Sequence, residues 1–300
     1  MKFSTIISPQ ALSQIIPETC DALYEVLRKE YLKFPKTEQD WRIIAREFEQ
    51  KWNFPHCLGA IDGKHVEIVP PSNSGSFYYN YKHRHSMVLL AIVDAKYRFL
   101  LVDFGTNGRV SDGGVLLNTK FYEKLERKTL NIPTAERLHP RILPYVFVAD
   151  DAFPLRKDMI KPFRQNDLDS RIKKIYNYQT SRARRIVENA FGIIAARFRI
   201  YRTQMNLSPE TIGSVVRATC ALHNYLTSSS LSYASSECFD IENFEEGTIT
   251  SGLTTRASTL EPLQRTIQGR APQIANQIRS QFMTYFVSEG KVPWHDNFIH

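Results

Sequence analysis

Three carboxylates stand in sequence surroundings that favour metal-dependent chemistry, and Asp62 is the first of them. It interrupts the otherwise apolar segment Leu58–Ile68, with Gly59 and Gly63 close by. A carboxylate in such a strand is unfavourable unless it is paired or bound to a metal. Glycines allow a bulky ligand to approach the backbone closely. The alternative is an aspartate at the sheet edge that faces water.

The second carboxylate, Asp150, ends the apolar run Tyr145–Ala149. Ligands of open α/β sheets bind at the carboxyl ends of the strands, so Asp150 is a candidate metal ligand. A turn or helix-cap aspartate is the alternative. The adjacent Asp151 could take either role.

The third carboxylate, Glu188, lies on a predicted helix over Gln179–Phe198 and points away from its broad apolar face. Arg184 and Arg185 precede it by about one turn, and Gly192 follows it by one turn. The alternative is an exposed ion pair with Arg184, worth about 0.5 kcal/mol or less. Three hard oxygen ligands without histidine or cysteine indicate Mg²⁺ or Mn²⁺. Two such ions could activate a nucleophile and stabilise the leaving oxygen of a phosphodiester.

The elements that must position these carboxylates follow from hydrophobic periodicity and breaker residues. Two helices are predicted over residues 10–52, separated near Pro35. Predicted strands cover residues 58–68, 86–93, 98–104 and 145–149, and predicted helices cover residues 111–127, 179–198 and 263–287, with another helix from about Leu155. The polar segment 128–144 reads as a loop, and the Ser-, Thr- and acid-rich segment 228–261 as a disordered or loosely packed connector.

Charge and cysteine usage narrow the class of protein. The chain has 39 lysines and arginines against 31 acidic residues. Thirteen basic residues and only four acids fall between Arg156 and Arg202, which favours either a polyanion partner or a solvated helical face.

The longest apolar run, Met87–Val93, is too short to span a bilayer, so no membrane partner is expected. Four scattered cysteines argue against a zinc ribbon and a disulfide scaffold, and indicate reduced thiols in a cytosolic or nuclear protein.

Several ordered segments together resemble the PIF/Harbinger-type DDE transposases and the harbinger-transposase-derived nucleases of animals. The segment Cys57–Val66 resembles the first catalytic block of that family. The other matching segments are Tyr79–Lys82 with His85 and Ser86, Gly108–Asp112, Val148–Leu155, Arg185–Gly192 with Arg197 and Phe198, and the tail Tyr285–Trp294. The resemblance covers about residues 10–226.

The resemblance implies an α/β fold: an RNase H-like mixed five-stranded sheet flanked by helices, with an N-terminal helical arm and a C-terminal helix. It implies that Asp62, Asp150 and Glu188 form the catalytic and metal-binding triad, with Asp112 as a further metal ligand. The family usually has a small polar residue after the second aspartate, whereas this chain has a second aspartate, Asp151, at that position. Asp151 could therefore substitute for Asp150. Expected DNA-binding residues are Lys64, Lys82, Arg84, Arg184 and Arg185.

The expected domains are an arm over residues 1–54, left from a helix-turn-helix region, and a catalytic domain over 55–227. An acidic Ser/Thr-rich connector over 228–261 and a C-terminal helix and tail over 262–300 follow. The arm looks short beside that of family members, so either the N-terminus of the sequence is truncated or another protein helps to recognise the DNA sequence.

The resulting functional hypothesis is a divalent-metal-dependent nuclease that cleaves DNA by a two-metal DDE mechanism. The cofactor would be Mg²⁺ or Mn²⁺, and the partners would be DNA, a Myb-like DNA-binding protein and a second copy of the chain. Its expected location is the nucleus, with the cytoplasm as an additional site. The alternative is a catalytically silent adaptor that binds DNA or chromatin.

Overall fold

The computed structural model describes residues 7–110, 112–230, 232–234, 239–252, 260–263 and 271–299, without the side chains of residues 112 and 113. These ranges contain seven α-helices and a six-stranded mixed sheet. The helices are α1 (Pro9–Leu27), α2 (Glu38–Trp52), α3 (Asp112–Leu117), α4 (Lys120–Glu126), α5 (Arg171–Arg197), α6 (Pro209–Ser229) and α7 (Gln273–Val287). The strands of all sheets are β1 (Cys57–Glu67), β2 (Ser86–Val93), β3 (Phe99–Asn107), β4 (Glu136–Leu138), β5 (Arg141–Leu143), β6 (Val146–Ala149), β7 (Met159–Ile160), β8 (Ile241–Asn243), β9 (Thr248–Thr250) and β10 (Glu261–Pro262).

The main sheet has the strand order β3-β2-β1-β6-β7, and β10 pairs with β1 outside this path. Strands β1, β2 and β3 form antiparallel pairs, whereas β6 runs parallel to β1 and β7 runs parallel to β6. The predicted mixed α/β architecture is therefore confirmed. The sixth strand was not predicted, because β10 contains only two residues and has no periodicity of its own.

The central strands are buried on both faces because helices cover the sheet. All eight residues of β2 are buried, as its unbroken apolar sequence predicts. Helix α5 packs on β1, β2 and β6 through buried side chains that include Ile186, Val187 and Ala190. Helix α6 packs on β3 and carries α1 on its other side. The main core therefore lies between the sheet and α5, with Glu188 at its margin.

Several local predictions differ from the structure. No helix begins near Leu155; the chain instead forms β7 and a short 3₁₀ turn over Gln165–Asp167. The helix predicted over 111–127 is divided into α3 and α4 by Thr119, whose hydroxyl accepts a hydrogen bond from the backbone N–H of Tyr122 and so caps α4.

Two segments expected to lack regular structure contain hairpins. The predicted loop 128–144 contains the β4–β5 hairpin. Strands β8 and β9 form another hairpin within the Ser- and acid-rich segment 228–261. Both segments therefore contain more regular structure than the sequence composition predicts.

Two sequence-level observations concern thiols and membranes. Cys20, Cys57 and Cys220 are free thiols, while Cys238 lies outside the described residues. Across the described ranges, no helix combines the length and apolar character needed to cross a lipid bilayer.

Candidate active site

The pairing of β1 with β6 brings Asp62 and Asp150 to neighbouring positions. Ile61 and Ala149 lie opposite each other in this parallel pair; Asp62 is the next residue of β1, and Asp150 directly follows β6. The backbone N–H of Gly63 donates to Oδ1 of Asp62 at 2.9 Å, and that of Ala152 donates to Oδ1 of Asp150 at 2.8 Å. Burial, together with the negative charge of Asp62, raises the pKa of Asp150 to about 6. The two carboxylates therefore interact electrostatically.

A cleft of about 600 Å³ opens beside this strand pair. It is lined by Tyr81, Asp150, Asp151, Pro162, Phe163, Arg164, Gln165, Asn177, Ser181, Arg184, Glu188, Pro262 and Leu263. Asp150 and Glu188 thus face one cavity, although they come from a strand end and from α5. Asp62 is buried beside β6 and is absent from the lining.

Two cations of the chain hold these carboxylates. Lys64 Nζ lies 3.0 Å from Oδ2 of Asp62, an atom that is buried and receives no well-oriented hydrogen bond within the described residues. Burial lowers the pKa of Lys64, but the charges of Asp62 and Glu188 outweigh this effect and hold the pKa above its usual value. Arg184 donates to Oε1 of Glu188 at 2.6 Å, one helical turn away. The predicted i,i−4 ion pair on α5 therefore exists, and it faces the cleft.

A buried lysine donates hydrogen bonds to the backbone of the loop after Asp150. Lys161 Nζ donates to the carbonyl oxygens of Asp151 at 2.9 Å and Phe153 at 2.7 Å. Burial lowers the pKa of Lys161 to about 8. This residue was not predicted as part of the site, because only the tertiary fold brings β7 under the Asp150–Asp151 turn.

The donor chemistry of the cluster fits a hard divalent cation, but its present arrangement does not form a ligand cage. Asp62, Asp150 and Glu188 supply only carboxylate oxygens, which suit Mg²⁺ or Mn²⁺. Among the residues that the structure describes, no three His, Cys, Asp or Glu side chains are arranged to hold a metal ion. Lys64 would have to leave Asp62 for that carboxylate to become a ligand. The backbone of Asp112 begins α3, and its side chain lies outside the described part of the structure.

The five predicted DNA-binding cations all have carboxylate partners. Besides Lys64 and Arg184, Lys82 forms an ion pair with Glu261, and Arg84 lies 2.5 Å from Oε1 of Glu67. Arg185 lies 2.9 Å from Oε1 of Glu242, a residue of the β8–β9 hairpin. The positive charge of these side chains is therefore largely compensated within the chain.

The short strand β10 forms one wall of the cleft. It pairs with Lys64 and His65 of β1, directly after Asp62 and Gly63. Tyr81 Oη donates to the carbonyl oxygen of Pro262 at 3.0 Å, and Leu263 covers Gly63 so closely that a Cβ there would lie 2.2 Å from its Cδ1. Any larger residue at position 63 would therefore have to displace the end of the Leu263 side chain beside Asp62.

Comparisons with known proteins place the site in a family context. The family described as DDE superfamily endonuclease matches residues 61–224. The Arabidopsis thaliana protein ALP1-like is 32% identical over 192 residues, which cover 61% of this chain and 46% of that protein. The candidate nuclease HARBI1 of Xenopus laevis is 26% identical over 221 residues, covering 73% of this chain and 59% of the relative.

A third relative is the Arabidopsis thaliana protein Antagonist of Like Heterochromatin Protein 1, which is 25% identical over 224 residues and covers 73% of this chain and 56% of its own. The chain thus spans about half the length of the curated relatives it matches. No solved structure matches it significantly. The family match covers more than half of the chain and includes Asp62, Asp150 and Glu188, and relatives derived from Harbinger transposases accompany it. The resemblance seen in the sequence is confirmed, and the chain belongs to the DDE superfamily endonuclease family.

Proposed function

We propose that this protein is a divalent-metal-dependent nuclease that cleaves DNA phosphodiester bonds, with Asp62, Asp150 and Glu188 as its catalytic carboxylates. The observation that carries the proposal is the β1–β6 pairing, which sets Asp62 beside Asp150 next to a cleft that Glu188 also lines. Membership of an endonuclease family supports the same chemistry.

The RNase H-like assignment of the fold is part of this proposal. It is supported by three antiparallel strands followed by two parallel strands, with the candidate residues on the two central strands and on a helix packed across them. The domain boundaries at residues 54, 227 and 261 remain part of the same proposal.

The proposed cofactor is Mg²⁺ or Mn²⁺, held by Asp62, Asp150 and Glu188, with Asp112 as a further candidate ligand. Bound at such a site, two ions would activate the attacking oxygen and stabilise the leaving oxygen of a phosphodiester. Lys64 and Arg184 are paired with Asp62 and Glu188 in the present arrangement. These cations must release the carboxylates for ligation, and each then gains a free charge for a DNA phosphate.

One observation favours the second candidate, a catalytically silent adaptor that binds DNA or chromatin. Asp62 and Glu188 are already paired with cations of the chain, and no metal-holding group is present among the described residues. One relative is named as an antagonist of a heterochromatin protein. Such an adaptor would bind DNA without a divalent metal and would not cut it.

The partners and location follow from the proposed chemistry. DNA is the proposed substrate, contacted by Lys64, Lys82, Arg84, Arg184 and Arg185 once their acidic partners release them. A Myb-like protein and a second copy of the chain are the other proposed partners. The nucleus is the proposed location, since it holds the substrate.

Nicking of supercoiled plasmid DNA in Mn²⁺ tests the proposal. The parent protein should nick the plasmid, EDTA should abolish nicking, and Glu188→Gln and Asp150→Asn should lose it while retaining the fold. Glu246→Gln removes the same charge at an exposed site and should nick normally. Nicking by Glu188→Gln at the parent rate would contradict the assignment. Metal-independent DNA binding without nicking would favour the adaptor.

A further inference from the structure

We propose that Arg164, a residue outside the predicted set, is the cation that contacts the DNA phosphate backbone at the mouth of the cleft. This inference rests on the proposed function, because it assumes that the cleft receives DNA. The ligand is a phosphodiester of the DNA backbone, read through its charge and its two non-bridging oxygens.

The cations of the cleft differ in whether they already have a carboxylate partner. Among the described residues that line the cleft, Arg164 and Arg184 are the two cations. Arg184 is held by Glu188 at 2.6 Å and its side chain is only 22% exposed. Arg164 is exposed, and no carboxylate of the described residues lies within ion-pair distance of it. Arg164 is therefore the lining cation whose charge is available to an incoming polyanion without first breaking an ion pair.

Hydrogen bonds hold the backbone on both sides of Arg164. Asn177 of α5 accepts a hydrogen bond from the N–H of Phe163 at 2.7 Å and donates to its carbonyl oxygen at 2.8 Å. The guanidinium of Arg279 lies 3.9 Å from the centre of the Phe163 ring. On the other side, the N–H of Asp167 donates to the carbonyl oxygen of Arg164 at 2.9 Å.

These contacts fix the main chain immediately before and after Arg164, while its side chain extends into solvent at the cleft. A fixed backbone reduces the entropy that is lost when the side chain engages a ligand. A guanidinium can donate two parallel hydrogen bonds to phosphate oxygens, which an ammonium group cannot do. Arginine at a rigid position beside a cleft is therefore well suited to hold a phosphodiester.

The test measures binding of a fluorescently labelled DNA duplex by anisotropy, in EDTA and over a series of salt concentrations. EDTA separates binding from cleavage. Arg164→Gln should weaken binding about tenfold at low salt, because a charge-assisted hydrogen bond is lost. The slope of log affinity against log salt should fall in magnitude by about 0.9, the value for one lost phosphate contact. Arg164→Lys should keep the slope but bind less tightly than the parent.

The matched control is Arg137→Gln, which removes the same charge from an exposed position of β4 that does not line the cleft. It should leave the salt slope unchanged. If the parent binds DNA and Arg164→Gln has the parent slope, the inference about Arg164 is wrong while DNA binding stands. If the parent protein does not bind the duplex at all, the proposed function itself fails, and this result is separate from any comparison between variants.

Discussion

The ion pair between Lys64 and Asp62 determines what the candidate site can do without a metal. Asp62 is 3% exposed, and the only cation beside its Oδ2 atom in the described structure is Lys64 at 3.0 Å. Removing one partner of a buried pair leaves an uncompensated charge, which commonly costs about 3–5 kcal/mol. Lys64→Gln should therefore lower the free energy of unfolding by about 3 kcal/mol, measured by urea denaturation in EDTA.

The control for this prediction is the double variant Asp62→Asn/Lys64→Gln, which has no buried charge at the pair and should recover most of the lost stability. Equal stability of the single and double variants would show that the pair is not the cause. Mn²⁺ should stabilise Lys64→Gln more than the parent protein, because the metal no longer competes with an ammonium group. The same Mn²⁺ effect in both proteins would argue against Asp62 as a ligand.

The β8–β9 hairpin is attached to α5 by a buried charge cluster. Glu242 accepts from Arg182 at 2.6 Å and from Arg185 at 2.9 Å, and the Glu242 side chain is only 7% exposed. The guanidinium of Arg182 also lies over the rings of Trp52, Phe244 and Trp294. The cluster therefore connects the hairpin to the helix that carries Glu188.

Glu242→Gln should release the β8–β9 hairpin, because two buried guanidinium groups would lose their shared charge partner. We expect a loss of about 3 kcal/mol in the free energy of unfolding and faster hydrogen exchange in residues 241–250. Glu246→Gln, at an exposed position of the same hairpin, should change stability by less than about 0.5 kcal/mol. Parent-like exchange in Glu242→Gln would mean that hydrophobic contacts alone hold the hairpin.

Strand β10 forms one wall of the cleft and carries Glu261. This glutamate forms an ion pair with Lys82, one of the candidate DNA-binding residues. Both side chains are about one-third exposed, so their ion pair contributes little to stability. Glu261→Gln should instead free Lys82, strengthen duplex binding and increase the magnitude of the salt slope by up to about 0.9. Anisotropy measurements of duplex binding by Glu261→Gln and by Glu246→Gln, two variants with the same net charge, separate this local effect on Lys82 from a general charge effect. Identical salt slopes in the two variants would exclude a release of Lys82 by Glu261→Gln.

The elements that the sequence predicted well are those with a strong hydrophobic pattern. Strand β2 is unbroken and apolar, and its predicted bounds, Ser86–Val93, are those of the structure. Strands β7 and β10 have two residues each and depend on pairing with β6 and β1, which no local pattern encodes. The prediction of a helix from Leu155 was wrong. The apolar residues after Leu155 are buried in β7 and the core instead of forming one face of a helix.

For the candidate site, residue type and position on a strand or helix indicated Asp62, Asp150 and Glu188. The pairing of β1 with β6 and the packing of α5 on both strands bring these residues to one region. Lys64 was predicted to contact DNA, and its pairing with Asp62 was not foreseen, although residues two apart on a strand lie on the same face of the sheet. Arg164 and Lys161 were also missed as site residues. Their places depend on how the segment after β6 folds back, which is a property of the tertiary structure.

Buried histidines couple the stability of the whole molecule to pH. Burial lowers the pKa of His65, His223 and His295 to about 4 each. His223 illustrates the cause: its ring is fully buried, with Nε2 2.8 Å from the carbonyl oxygen of Tyr97 and Nδ1 3.0 Å from Oη of Tyr233. The folded protein therefore keeps these rings neutral, whereas the unfolded chain protonates them below about pH 6.5.

Because the folded-state pKa values are depressed, the stabilisation is fully present above about pH 6.5 and is lost as the pH falls towards 4. Each histidine could contribute roughly 3 kcal/mol over that interval. The free energy of unfolding should therefore fall between pH 6.5 and 5, and Asp150, whose raised pKa of about 6 has the opposite effect, should offset part of this fall. His223→Gln should reduce the number of protons taken up on unfolding by about one, while His83→Gln on an exposed loop is the matched control. An unchanged slope in His223→Gln would mean that the buried ring is protonated in the folded protein as readily as in the unfolded chain.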